Sequence, residues 1–113
     1  MGFISRISAL GKIEALAFQI ISEFSSACEM IDSSQAVGYN EREILGRVDQ
    51  NLCQFLDLCD QIGKEQLFNY SVIMYGKRQP IPTFLFSMTG LSNEIFSGTG
   101  YKMNFLNRIN NFF

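Results

Sequence analysis

Between Leu10 and Ile31 the apolar residues Leu10, Ile13, Ala17, Ile20, Phe24, Ala27 and Ile31 return every three or four positions. An α-helix, with 3.6 residues per turn, lays such a series along one face. Leu16, Ile21 and Cys28 widen the stripe, while Lys12, Glu14, Gln19, Ser22, Glu23, Ser25, Ser26 and Glu29 occupy the other side. The spacing therefore predicts a long amphipathic helix with a neighbour on one face and water on the other. Gly11 offers a place for an early bend. The patch Asp32-Ser33-Ser34-Gln35, followed by Gly38, ends the segment, because these side chains compete for backbone hydrogen bonds.

A second broad apolar face runs through Ile44, Leu45, Val48, Leu52, Phe55, Leu56, Cys59 and Ile62. Asn40 can accept from the free amides of a first turn, and Glu43 can reach back to it, a capping box that sets the start at Glu41. Gly63 suits a left-handed stop. Two helices joined by a short polar turn form an antiparallel hairpin.

Beyond Gly63 charges thin out and aromatics, Asn and Gly become dense. Lys64 to Tyr75 reads as a helix burying Leu67, Phe68, Val72 and Tyr75, in preference to a strand alternating Phe68, Tyr70, Val72 and Met74. Two prolines one residue apart make residues 76–82 a turn, and Pro82 then suits the first turn of a helix carrying Phe84, Leu85, Met88, Leu91, Ile95 and Phe96. Gly98-Thr99-Gly100 breaks that helix. The tail repeats helical spacing at Met103, Leu106, Ile109 and Phe113, against a polar face rich in asparagine, a poor helix former. The expected fold is all-α: one domain over residues 1–113, a compact bundle of four or five helices built on the N-terminal helical hairpin. An α+β variant with one small hairpin in the C-terminal half is the alternative.

Chemistry is harder to find. The chain has no histidine, which removes Ser-His-Asp and Cys-His catalysis and imidazole metal sites. Cys28, Cys53 and Cys59 are too few and too widely spaced for a disulfide framework or a Cys-x-x-Cys metal pair, so a reducing cytoplasm fits them. Cys53 and Cys59 stand about 240° apart around their helix, with Cys59 on the core side. Cys53 lies on the polar side with no basic residue at i±3 or i±4 to activate it. Ser97-Gly98-Thr99-Gly100 lacks the Lys-Ser/Thr ending of a phosphate loop, and no carboxylates are spaced as a calcium loop. Neither a secretory leader nor a bilayer-length apolar run is read in the sequence. The expectation is a non-enzymatic cytoplasmic protein with no cofactor and no membrane contact. A formal charge of −2 also disfavours direct nucleic-acid binding, and Lys77-Arg78 beside aromatics reads as ordinary solvated surface.

Charge is nevertheless unevenly spread. Residues 1–37 hold two bases against four acids, residues 38–63 two against five, and residues 64–113 five against two. On the second helix Asp49, Asp57 and Asp60 project within about 80° of one another beside the apolar face. Such a strip is either a solvated helix edge or the surface with which a binder meets a basic protein. Asp49, Asp57 and Asp60 are the principal candidates for partner binding, with Glu41 and Glu43 as lesser ones.

The stretch Leu10-Gly11-Lys12-Ile13-Glu14-Ala15-Leu16-Ala17-Phe18, its helical continuation, a polar turn, and Ile44-Leu45-Gly46-Arg47-Val48-Asp49 through Asp60 resembles one family. That family is the helical immunity proteins which neutralise tRNA-cleaving colicins and related contact-dependent toxins. The resemblance covers the N-terminal half. It implies a small cytoplasmic antitoxin that covers the basic active site of a nuclease toxin, with acidic side chains standing in for phosphates. The alternative is a structural or assembly subunit, such as a secretion chaperone or self-associating adaptor. It would use the Leu10 to Ile31 stripe and aromatics near Phe112 and Phe113, and homo-oligomers are left open.

Overall fold

The computed structural model describes the backbone of residues 3–32 and 38–112, and the side chains of residues 7–29 and 42–112. Two long helices, α1 (Phe3–Asp32) and α2 (Gly38–Ile62), come first. A 3₁₀ turn at Lys64–Asn69, strands β1 (Ser71–Met74) and β2 (Lys77–Pro80), and helices α3 (Ile81–Phe96) and α4 (Asn104–Ile109) follow. The chain is thus mostly helical, with one small antiparallel β-hairpin, as in the α+β alternative.

The helical hairpin forms as the periodicity predicts. Ala9, Ile13, Ala17, Ile20, Phe24 and Ala27 of α1 are all buried against Leu45, Val48, Leu52, Phe55, Leu56, Cys59 and Ile62 of α2. The helices run antiparallel, since Glu23 meets Arg47 and Asn51, while Leu16 and Leu58 share a groove further along. Both helices begin earlier than expected. α1 includes residues before Leu10, and α2 starts at Gly38 instead of Glu41, so Asn40 falls inside the first turn instead of preceding it. One capping side chain does not define a helix end, because four amides need acceptors there. The predicted stop at residues 33–37 lies outside the described residues.

Gly63 ends α2 with its amide donating to the Cys59 carbonyl at 3.0 Å and a φ of 101°, a region closed to most L-residues. The preferred reading of residues 64–75 as one helix is corrected. They divide into the 3₁₀ turn, which buries Leu67, and β1, which buries Val72. The reading of residues 76–82 as a turn is corrected too, because Lys77–Pro80 pairs with β1 in the register Ser71↔Pro80 through Met74↔Lys77. Tyr75 and Gly76 join the strands with φ of 53° and 80°, the paired left-handed conformation that matches the twist of a two-residue hairpin. Pro80 occupies an outer strand, where its missing N–H does no harm, and Pro82 sits in the first turn of α3 as expected.

α3 turns Ile81, Phe84, Leu85, Met88 and Phe96 inward. Phe84 meets Phe55 of α2 with ring centroids 4.8 Å apart. α4 docks on α2 and adds Phe105 to the same core, with Met103 just before it and Phe112 after it. Phe112 is therefore not an exposed association surface: it is buried, with the Lys64 ammonium 4.6 Å from its ring centre. In the Leu10 to Ile31 stripe, Ile13, Ala17, Ile20, Phe24 and Ala27 are likewise packed within the chain, and the side chain of Ile31 lies outside the described residues. Phe113 lies outside the described residues.

Candidate functional site

α2 was expected to carry a one-sided acidic strip, and the structure divides it. Asp49 is only 2% exposed, which takes it out of any outer strip and corrects its place as a partner-binding residue. Its carboxylate accepts the Asn104 amide at 3.0 Å and the Phe105 amide at 2.8 Å, with the Tyr101 hydroxyl donating at 3.5 Å. α4 begins after Met103, which has no side chain able to cap it, so its first amides would be unsatisfied without this acceptor. Asp49 is the cap of α4, supplied from another helix. Burial, followed by the charge of Asp49 and its hydrogen bond, pushes the Tyr101 phenol above its ordinary pKa.

Asp57 and Asp60 remain on the surface, with side chains 61% and 53% exposed. Between them lies Arg108 of α4, which donates to Asp57 at 2.8 Å and stands 3.9 Å from Asp60. Its other nitrogen donates to the Cys53 carbonyl at 3.1 Å. Partial burial alone would lower the Arg108 pKa, but the hydrogen bond and charge of Asp57 more than offset it and hold the group above its ordinary value. Two carboxylates thus share one guanidinium, and the Lys12 side chain lines the groove next to Asp57. That groove, of about 400 Å³, is lined by Lys12, Ala15, Leu16, Gln19, Gln54, Asp57 and Leu58. Asp57 thus borders a groove of mixed lining, with Ala15, Leu16 and Leu58 beside Lys12, Gln19 and Gln54.

The lesser candidates stand apart from that edge. Glu43 is exposed and pairs with Arg47 one turn on, at 3.5 Å. Arg47 also lies 3.9 Å from Glu23, which accepts a hydrogen bond from Asn51, so this group ties α1 to α2. The side chain of Glu41 is outside the described residues.

Neither Cys53 nor Cys59 is activated by its surroundings. Arg108 does give Cys53 the basic neighbour that its own helix lacks, yet burial and the nearby Asp49 charge outweigh it, and the pKa rises. Cys59 is buried, and desolvation pushes its thiol up to about 12. The pH dependence has a definite sign. With a folded pKa near 12 against an ordinary 9.0, the folded chain holds its proton where the unfolded chain has lost it. Stability contributed by Cys59 is complete below about pH 9 and is lost as pH rises toward about 12. Urea unfolding from pH 8 to 11 is expected to show this decline, reduced in Cys59→Ala. Cys59 should also resist alkylation until the chain unfolds.

Among the described residues no group of three or more Cys, Asp or Glu is placed to hold a metal ion, and no helix is long and apolar enough to cross a membrane. Comparison of the chain with protein-family models, with curated proteins and with solved structures gives no match.

Sequence reasoning missed the surface aromatics. Phe18 is 76% exposed, Phe68 72%, Phe86 81% and Tyr75 64%. Phe18, Ile73 and Tyr75 border one groove, and Phe68 and Phe86 another. The signal was present in part: Phe18 sits off the Ile13, Ala17, Ile20 stripe, and Phe86 off the Phe84, Leu85, Met88 face.

Proposed function

We propose that this chain is a non-enzymatic, cytoplasmic protein-binding module of the immunity-protein kind, which holds a basic protein against the Asp57 and Asp60 edge of α2. The observation that carries the reading is the pair of exposed carboxylates sharing a single guanidinium beside the Leu16 and Leu58 groove. The two carboxylates are exposed and can each accept from a partner's cation, and Ala15, Leu16 and Leu58 supply apolar contact area beside them from which water is expelled. A nuclease toxin, with Arg and Lys arranged around a phosphate-binding centre, is the partner that such an edge suits. The 2.8 Å contact of Arg108 with Asp57 is the geometry that a partner's arginine would take at Asp60.

The test begins with a tagged chain used at low salt to isolate its partner from source cells, followed by titration of the purified pair. Binding is expected to weaken about tenfold between 50 and 300 mM salt. Asp60→Lys, which leaves the closer Arg108–Asp57 contact in place, should weaken it by a similar factor without altering the circular dichroism. An affinity indifferent to both Asp57→Lys and Asp60→Lys would remove the reading. The second reading, a self-associating structural subunit, is favoured by the exposed Phe18, Phe68 and Phe86 side chains, and predicts association that responds to concentration and not to salt.

A further inference from the structure

α4 reaches its seat on α2 through a short connection, Ser97 to Met103. Thr99 clasps that connection. Its amide and its hydroxyl both donate to the Phe96 carbonyl, at 3.1 and 2.8 Å, and its Oγ1 accepts the Tyr101 amide at 3.1 Å. Gly100 follows with a φ of 77°, which only glycine adopts without strain, and it is exposed. The clasp is therefore local to the turn and separate from the contacts that seat α4. Those contacts are the Asn104 and Phe105 amides on Asp49, the Phe105 ring in the core, and Arg108 on Asp57 and the Cys53 carbonyl. Drawn out, residues 97–103 reach about 23 Å, more than the 19 Å of the molecule's thinnest dimension. The segment can thus leave its own α2 while the clasp alone opens.

We propose that two copies of the chain associate by exchanging this segment, the turn at Thr99 and Gly100 opening and each α4 docking on the α2 of the other copy. This rests on the self-association reading and names its interface. The occupant is selected by the seat itself, which is filled in this structure by α4. Two amides meet a buried carboxylate, a phenyl ring enters the core, and a guanidinium stands between two exposed carboxylates. A second copy presents that same set in the same order, so each contact given up within one copy forms again between two. The balance then depends on the turn and on concentration. Within one chain α4 faces its seat at an effective concentration of about 1 mM, which favours the closed form in dilute solution. Salt leaves the balance unchanged, because the same ion pairs are present before and after exchange.

Two variants with exchanged charges test the proposal. Asp57→Arg and Arg108→Asp each place like charges at the contact, both within one chain and between identical copies. In an exchanged pair of one of each, the two altered groups meet in one seat and the two unaltered groups in the other. Both side chains are partly exposed, at 61% and 37%, so each variant should keep the circular dichroism of the unaltered chain. After joint refolding from urea, native mass spectrometry and sedimentation equilibrium should find a heterodimer about tenfold tighter than either homodimer at low salt. Gly100→Ala should tighten the dimer of the otherwise unaltered chain about tenfold or more, since opening relieves a left-handed alanine in each copy. Gly76→Ala is the control. Gly76 has a φ of 80°, and at both glycines an added Cβ would meet no atom within 4 Å, so it imposes the same strain away from the connection and should leave association as it is. Monomers throughout, up to about 1 mM, would overturn both this inference and the self-association reading. Dimers that gain nothing from mixing, or no more from Gly100→Ala than from Gly76→Ala, would overturn the exchange alone and leave self-association standing through another surface.

Discussion

Asp49→Ala is expected to lower the stability of the chain by about 3 kcal/mol, roughly the worth of two charge-assisted hydrogen bonds from the backbone. The carboxylate is buried and accepts the amides of Asn104 and Phe105, so its loss leaves two donors of α4 without an acceptor in a place water does not easily reach. The melting temperature should fall by about 12 °C. Asp49→Asn should cost less, about 2 kcal/mol, because the amide oxygen can still accept one bond while the amine faces the other donor. Hydrogen exchange locates the effect: protection of the Asn104 and Phe105 amides should drop before that of α1 or α2. If α4 stays as protected as in the unaltered chain, Asp49 is not its anchor. There is a consequence for the surface as well. α4 brings Arg108 to Asp57 and Asp60, so loosening α4 should leave that edge more negative, and a basic partner should bind more tightly to a less stable protein.

Phe84→Ala should have the larger effect, about 4 kcal/mol measured by urea or thermal unfolding. Phe84 is fully buried, and its ring meets that of Phe55, also fully buried, at 4.8 Å and an interplanar angle of 36°. Removing it leaves a void between α2 and α3 that their backbones can only partly close, and it ends the ring-to-ring contact. Phe84 links the C-terminal half to the helical hairpin, so the whole chain should still unfold in one step at a lower midpoint. Phe84→Leu, which keeps most of the volume, should cost less than half as much. Equal losses for the two variants would show that the cavity is not the source of the effect.

Part of this architecture is legible residue by residue. The series Ile13, Ala17, Ile20, Phe24 and Ala27 reports a helix face directly, since its spacing is that of the backbone hydrogen bonds themselves, and every member is buried. Gly63, Pro82 and the Gly98 to Gly100 break work in the same way, through constraints on their own dihedral angles. The β-hairpin was less legible. Val72 and Ile73 favour an extended chain, but Leu67, Phe68 and Val72 also fit a helix, and the choice rests on pairing with Lys77–Pro80. Pro80 argued against a strand there, and it is accommodated because β2 has a free edge.

The candidate site was legible only in its residue types. Helical geometry puts Asp49, Asp57 and Asp60 near one another, yet their fates differ, because the first amides of α4 cover Asp49 while only its Arg108 side chain reaches Asp57 and Asp60, which stay exposed.

By itself the sequence determined the two long helices, the face each buries, the stop at Gly63, and the surplus of acid on α2. Those are consequences of contacts one or two turns apart, which the order of residues contains outright. Tertiary structure decided which acid is internal and which stay exposed. The partners of Asp49 lie 55 and 56 positions along the chain and that of Asp57 lies 51, so their meeting depends on how the C-terminal half closes over α2. A carboxylate's role is set by the donors that reach it in space, and spacing along one helix does not contain them.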